Sequence, residues 1–152
     1  KGQITPDPEP EPDPFELVEG QVYTYCFEDN WPWFGDYDMN DIVVVSRIDR
    51  MLSKDGGKVS ELTFNWELRA AGTTYDIAYG VQMDRVAGTN IASAESSHKG
   101  FGSGMFVSQN PESGKNAVIP FFNDTKELLS TSNTWKGHTA SPTVKHTTKV
   151  TF

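Results

Sequence analysis

Asp36, Asp38, Asn40 and Asp41 crowd oxygen donors into the stretch FGDYDMNDIVVV, residues 34–45, and Glu28 and Asp29 stand shortly before it. Hard oxygens at this density suit Ca²⁺, which takes about six to eight of them. The i, i+2, i+4 spacing of Asp36, Asp38 and Asn40 copies the start of an EF-hand loop. The copy stops there, because the sixth position is Asp41 rather than Gly and the twelfth is Arg47 rather than Glu. A calcium site would therefore need ligands from elsewhere, and Glu28 and Asp29 are the nearest. The same side chains also suit a plainer task, since Asp and Asn close Asx-turns and satisfy loop N–H groups. Both readings stand at this level.

A second group is aromatic. NWPWF, residues 30–34, sets Trp31, Trp33 and Phe34 around Pro32 in what reads as a loop. Exposed rings there can stack on sugars or anchor a protein partner, whereas folded-back rings would close the end of a core. Catalysis has less to recommend it. Two carboxylates can serve glycoside hydrolysis, but their separation is not written in a sequence. His98, His138 and His146 lack metal-binding spacing, and GFGSGM at 100–105 lacks the order of a nucleophile elbow. The chain is read as non-catalytic.

The elements that must position these groups have the texture of strands. QVYTYCFED (21–29) is aromatic and β-branched, and DIVVVSRIDRM (41–51) opens on a continuous aliphatic run that suggests burial on both faces. KVSELTFNWELRA (58–70) places Leu62, Phe64, Trp66 and Leu68 on one face. TTYDIAYGVQM (73–83) does the same for Tyr75, Ile77 and Tyr79. NAVIPFF and TVKHTTKVTF complete the set. Turn signals separate the runs at KDGGK, AAGT and NPESGKN, the first placed as a hairpin loop. Residues 84–104 read as a long Gly- and Ser-rich loop. One short helix is expected at 124–130, with Asp124 as N-cap and Glu127 as its capping-box partner. The sum is an all-β, antiparallel β-sandwich, jelly-roll-like, with at most one short helix.

Composition narrows the function. Of the formal net charge of −8, residues 1–19 carry −5 and the rest −3. Nucleic acid and anionic membranes both need clustered Lys and Arg, so neither is an expected partner. PDPEPEPDP, residues 6–14, alternates proline with acid, which favours an extended, self-repelling spacer. The expected division is an acidic stalk over 1–19 and a domain over 20–152, cut short at or just after a strand. Cys26 is the one cysteine, flanked by Tyr25 and Phe27, and is expected to be a buried, inert thiol. No apolar run is long enough to cross a bilayer as a helix.

Residues 27–45, FEDNWPWFGDYDMNDIVVV, resemble the signature of the LruC-domain family: Phe-Glu-Asp, then Trp-Pro, then Gly-Asp-Tyr-Asp-x-Asn-Asp, then an aliphatic strand. Phe27, Glu28, Asp29, Trp31, Pro32, Gly35, Asp36, Tyr37, Asp38, Asn40 and Asp41 carry the match. A weaker resemblance runs through LRAAGTTYDIAYGVQMDRV and VIPFFND to KVTF. Asn30, Trp33 and Phe34 depart from the pattern. The resemblance implies a β-rich domain of secreted or lipid-anchored Gram-negative surface proteins, of largely unassigned function, following a removed upstream signal. The expectation is therefore an extracellular or outer-membrane-associated module that meets a protein or glycan at the cell surface. Its adhesive or assembly role would rest on a calcium-bound acidic loop, or, alternatively, on sugar binding by the Trp31–Phe34 loop.

Overall fold

A computed structural model of the chain describes residues 13–30, 32–98, 116–129 and 142–152. Eight strands run through them: β1 (Phe15–Val18), β2 (Val22–Phe27), β3 (Ile42–Ser53), β4 (Val59–Ala70), β5 (Tyr79–Ala87), β6 (Ser93–Ser96), β7 (Asn116–Phe122) and β8 (Lys145–Thr151). Every pairing is antiparallel. Six strands form one sheet in the order β1-β3-β4-β8-β6, with β2 also on β3, and β5 and β7 form a second. The chain is thus the all-β sandwich that its alternating runs predict, divided six strands against two.

The core lies where the two sheets face each other. On β4, Phe64, Trp66 and Leu68 point inward at period two and are buried. Trp66 stacks on Phe121 of β7 at 5.3 Å between ring centroids, and Phe64 meets the same ring edge-on at 5.4 Å. Its indole N–H donates to Thr148 Oγ1 of β8 at 3.0 Å, so the largest buried side chain carries no unsatisfied donor. His146 stacks on the other side of Trp66 at 4.6 Å.

β3 is the spine. Its β-branched run suits a pleated strand, but burial is one-sided: Ile42, Val44 and Ser46 are buried, while Val43 and Val45 on the outer face are only half-buried. The long aliphatic run thus overstates the cover, because none of the described strands forms a layer over that face. β1 and β2 pair in tandem with one edge of β3, Val18 opposite Arg50 and Val22 opposite Arg47. At the break between them Gly20 donates its N–H to Asp49 Oδ1 at 3.0 Å. A Cβ on Gly20 would fall 2.1 Å from the carbonyl oxygen of Ile48, so only glycine fits. Asp49 also accepts from Arg47 and from Asn65 of β4, both at 2.8 Å.

Other expectations are corrected. Strand β1 lies inside the segment 1–19 expected to be stalk, and the Pro14 carbonyl accepts from Lys54 N at 3.0 Å, so the domain starts earlier than residue 20. Cys26 is exposed rather than buried. It sits on β2, an edge strand exposed at all its positions, and pairs with Val43 on the face turned away from the core. The strand expected from Thr73 starts only at Tyr79, because Gly72 and Thr73 bond instead to the acidic loop described below. The region 84–98, expected as loop, holds the end of β5, a 3-10 turn at Gly88–Asn90 and β6, recruited as an edge strand by β8. The helix expected at 124–130 is a 3-10 turn over Thr125–Glu127. Asp124 does cap it, accepting from Lys126 N at 2.8 Å, but Glu127 turns away to His98 at 3.1 Å. The segments GFGSGM and His138 lie outside the described residues.

Replacing Gly20 with Ala should force β1 or β2 off the spine. We expect a loss of about 1–3 kcal/mol, read as a lower urea midpoint with an unchanged slope. A wild-type midpoint would show that the strands can part there without loss.

Candidate functional site

The register of β2 on β3 builds the site. Phe27 pairs with Ile42, so the loop 28–41 leaves and re-enters the sheet at the same rung. Glu28 and Asp41, one residue beyond that rung on either strand, are thereby forced together, and both are buried. Gly35 turns the far part of the loop back over Glu28. A Cβ there would meet Glu28 Oε1 at 2.4 Å, which explains a residue without one. The return brings in Asp36. One carboxylate oxygen each from Glu28, Asp36 and Asp41 lie within 4.8 Å of one another.

The remaining predicted residues are placed differently. Asp38 accepts from the side chain of Asn40 and from its backbone N–H at 3.3 Å, a local Asx-type turn. The EF-hand-like series therefore does not converge, because alternate positions of this loop do not face one centre. Asp29 is turned toward β4's exit: its Oδ2 accepts from Thr73 Oγ1 at 2.5 Å, and Tyr75 N donates to the same hydroxyl at 3.0 Å. Asp29 N in turn donates to Asp41 Oδ2 at 2.8 Å. Gly72 N, at 3.1 Å from the carbonyl oxygens of both Asn40 and Asp41, ties the loop to the end of β4. Sequence spacing pointed to a row of three acids and an asparagine, but the contributing set is one from that row's start, one from its end and one from across the rung.

The electrostatics are unfavourable as they stand. Glu28 is 9% exposed, and its Oε1 has no hydrogen-bond partner. Its Oε2 accepts from Met39 N at 3.3 Å. Burial pushes the Glu28 carboxyl above its ordinary value, and the neighbouring Asp41 and Asp36 charges add to this against the backbone N–H groups of Met39 and Tyr37. Burial also raises Asp41, with Asp29, Asp36 and Asp38 adding to it against the N–H of Asp29. Among the described residues, no ion pair to Lys or Arg reaches Glu28, Asp36 or Asp41. Tyr37 and Met39 both sit at φ +56°, a left-handed conformation that is uncommon for such side chains.

Of the aromatic group, Trp33 and Phe34 project from this loop, 77% and 95% exposed. Trp31 lies outside the described residues. A feature that spacing alone did not reveal is an open cleft of about 510 Å³, lined by Tyr25, Phe27 and Tyr79 together with Glu28, Asp29 and Asp41. The alternation of Tyr23, Tyr25 and Phe27 along β2 was its one visible signal.

Fold and loop together define an antiparallel β-sandwich with two buried carboxylates and an exposed third, Asp36, gathered at one strand junction. Residues 57–152 match the family described as "Domain of unknown function (DUF4842)", and the chain belongs to that family. The matched segment opens in the β3–β4 turn, so the acidic loop precedes it. No curated protein and no solved structure matches the chain.

The raised acids fix the sign of a pH effect. A carboxyl whose folded value is raised favours the protonated fold. The contribution of Glu28 is thus fully present below its ordinary value of 4.5 and is lost as pH rises through the higher folded value. In EDTA, the melting temperature of the wild type should fall relative to Glu28→Gln as pH rises from about 4.5 to 7. A difference that stays flat with pH would mean the carboxylate is not strained by its neighbours.

Proposed function

We propose that this domain is a non-catalytic module of the bacterial surface, acting in adhesion or surface assembly, whose β2–β3 loop is held closed by Ca²⁺ on Glu28, Asp36 and Asp41. The observation that carries the cation is Glu28 Oε1, buried, without a hydrogen-bond partner and facing two more carboxylates. A lone pair in that position calls for a positive charge, because burial without one is costly. Hard oxygen donors favour Ca²⁺ over softer metals. Asp38 and Asn40 then act as the turn that carries Asp36 and Asp41 to the centre, so the two sequence readings of the loop divide between its residues. The extracellular or outer-membrane setting rests on the resemblance of residues 27–45 to LruC-domain proteins. The non-catalytic reading rests on the missing nucleophile and metal-protease patterns.

One observation favours a second reading. Trp33 and Phe34 are exposed on the same loop, as a sugar-binding aromatic surface requires. In that reading the loop grips a glycan directly, and the cation only stiffens it.

A melting curve in millimolar calcium and in EDTA tests the first reading. A ligand that binds only the folded chain raises stability by roughly 2.7 kcal/mol at a hundredfold excess over its Kd. The Glu28→Gln/Asp36→Asn variant should lose that gain while remaining folded in EDTA. Asp38→Ala should keep most of it. Superimposable wild-type curves would remove the metal and leave a hydrogen-bonded turn.

A further inference from the structure

We propose that the cleft between β2 and β5 is a saccharide site in which a pyranose ring lies against Tyr25, Phe27 and Tyr79 and two of its adjacent hydroxyls complete the coordination of the cation. The inference rests on the cation reading above and names the ligand class that the same site would take.

Three observations converge on it. The cleft and the carboxylate cluster share Glu28 and Asp41, so whatever fills one touches the other. Three carboxylates leave part of a calcium shell open to neutral oxygens. The same cleft is lined by aromatic rings. Tyr25 and Phe27 lie on the core-facing side of β2, opposite Val44 and Ile42, yet remain 39% and 42% exposed because the two-stranded sheet covers them only in part. Phe27 meets Tyr79 at 5.7 Å between centroids, making a continuous apolar wall. Apolar walls with a few convergent polar groups mark a ligand pocket, and about 510 Å³ is within the usual range.

The ligand must therefore offer an apolar face to the rings and a pair of neutral oxygens to the cation. A pyranose does both, through its C–H face and its vicinal hydroxyls. An organic cation matches the rings, but calcium would already offset two of the cluster's three negative charges. The one other carboxylate of the cleft, Asp29, is already bonded to Thr73. Neutral polyols suit that balance of charge better.

Calorimetric titration of the full chain tests this, with methyl α-mannopyranoside, methyl β-galactopyranoside and methyl α-fucopyranoside as probes, in calcium and in EDTA. Calcium alone is titrated in parallel. At least one glycoside should bind in calcium and lose at least tenfold in affinity in EDTA. Tyr25→Ala, and separately Phe27→Leu, should weaken it tenfold or more while the calcium titration stays as in wild type. If calcium binds and no glycoside does, the saccharide site is overturned and the cation survives. If calcium itself fails to bind, both fall. Equal sugar binding in EDTA overturns the coordination. Loss of sugar binding in Trp33→Ala but not in Tyr25→Ala would place the sugar on the exposed loop and overturn the cleft.

Discussion

The Phe27–Ile42 rung is the constraint on which the site depends. A loop that leaves and re-enters a ladder at one rung brings its first and last residues side by side. Here those residues are Glu28 and Asp41, two acids, both buried. Nothing in the local preference of either residue favours that meeting. It follows from strand pairing, which runs the length of β2 against the first half of β3 and fixes the register of the residues there. The like charges are brought together by the stability of the sheet, and the loop must then supply something to offset them.

The loop spends its own geometry on the same problem. Left-handed backbone at Tyr37 and Met39 aims the Met39 N–H at Glu28, and Gly35 permits the close pass over Glu28 Oε1. Thr73 and Gly72, at the exit of β4, lock the outer acids and carbonyls. These bonds satisfy Asp29, Asp38 and one oxygen each of Glu28 and Asp41, and they leave Glu28 Oε1 facing the cluster. Arrangements that satisfy all but the central oxygens are suited to receiving a cation, since the surrounding bonds hold the donors in place before it arrives.

The division of the sandwich matters as much as the loop. Trp66, Phe64 and Phe121 lock the two-stranded sheet over the middle of the larger one. Two strands cannot cover six, so among the described residues the core-facing side of β2, with its aromatic residues, is only partly covered. An edge strand without charge or proline is normally a liability. Beside a carboxylate cluster it becomes the wall of a cleft.

Much of this was legible in the sequence. Alternation along β4, the aliphatic run of β3, NAVIPFF and the KDGGK turn specify strands and the sandwich, because they are local and periodic signals. The abundance of acids after Gly35 marked the candidate loop. What the sequence could not rank was which acids meet. Asp36, Asp38 and Asn40 have the right spacing for a contiguous calcium loop, but spacing measures distance along the chain. Glu28 and Asp41 are 13 positions apart and adjacent in space. Likewise Cys26 reads as core by its neighbours and is exposed, since burial depends on whether another layer lies above a strand. Residue type determined the chemistry available. Tertiary pairing decided which groups are neighbours and which are dry, because register and layer cover are properties of two segments at once and are written in neither alone.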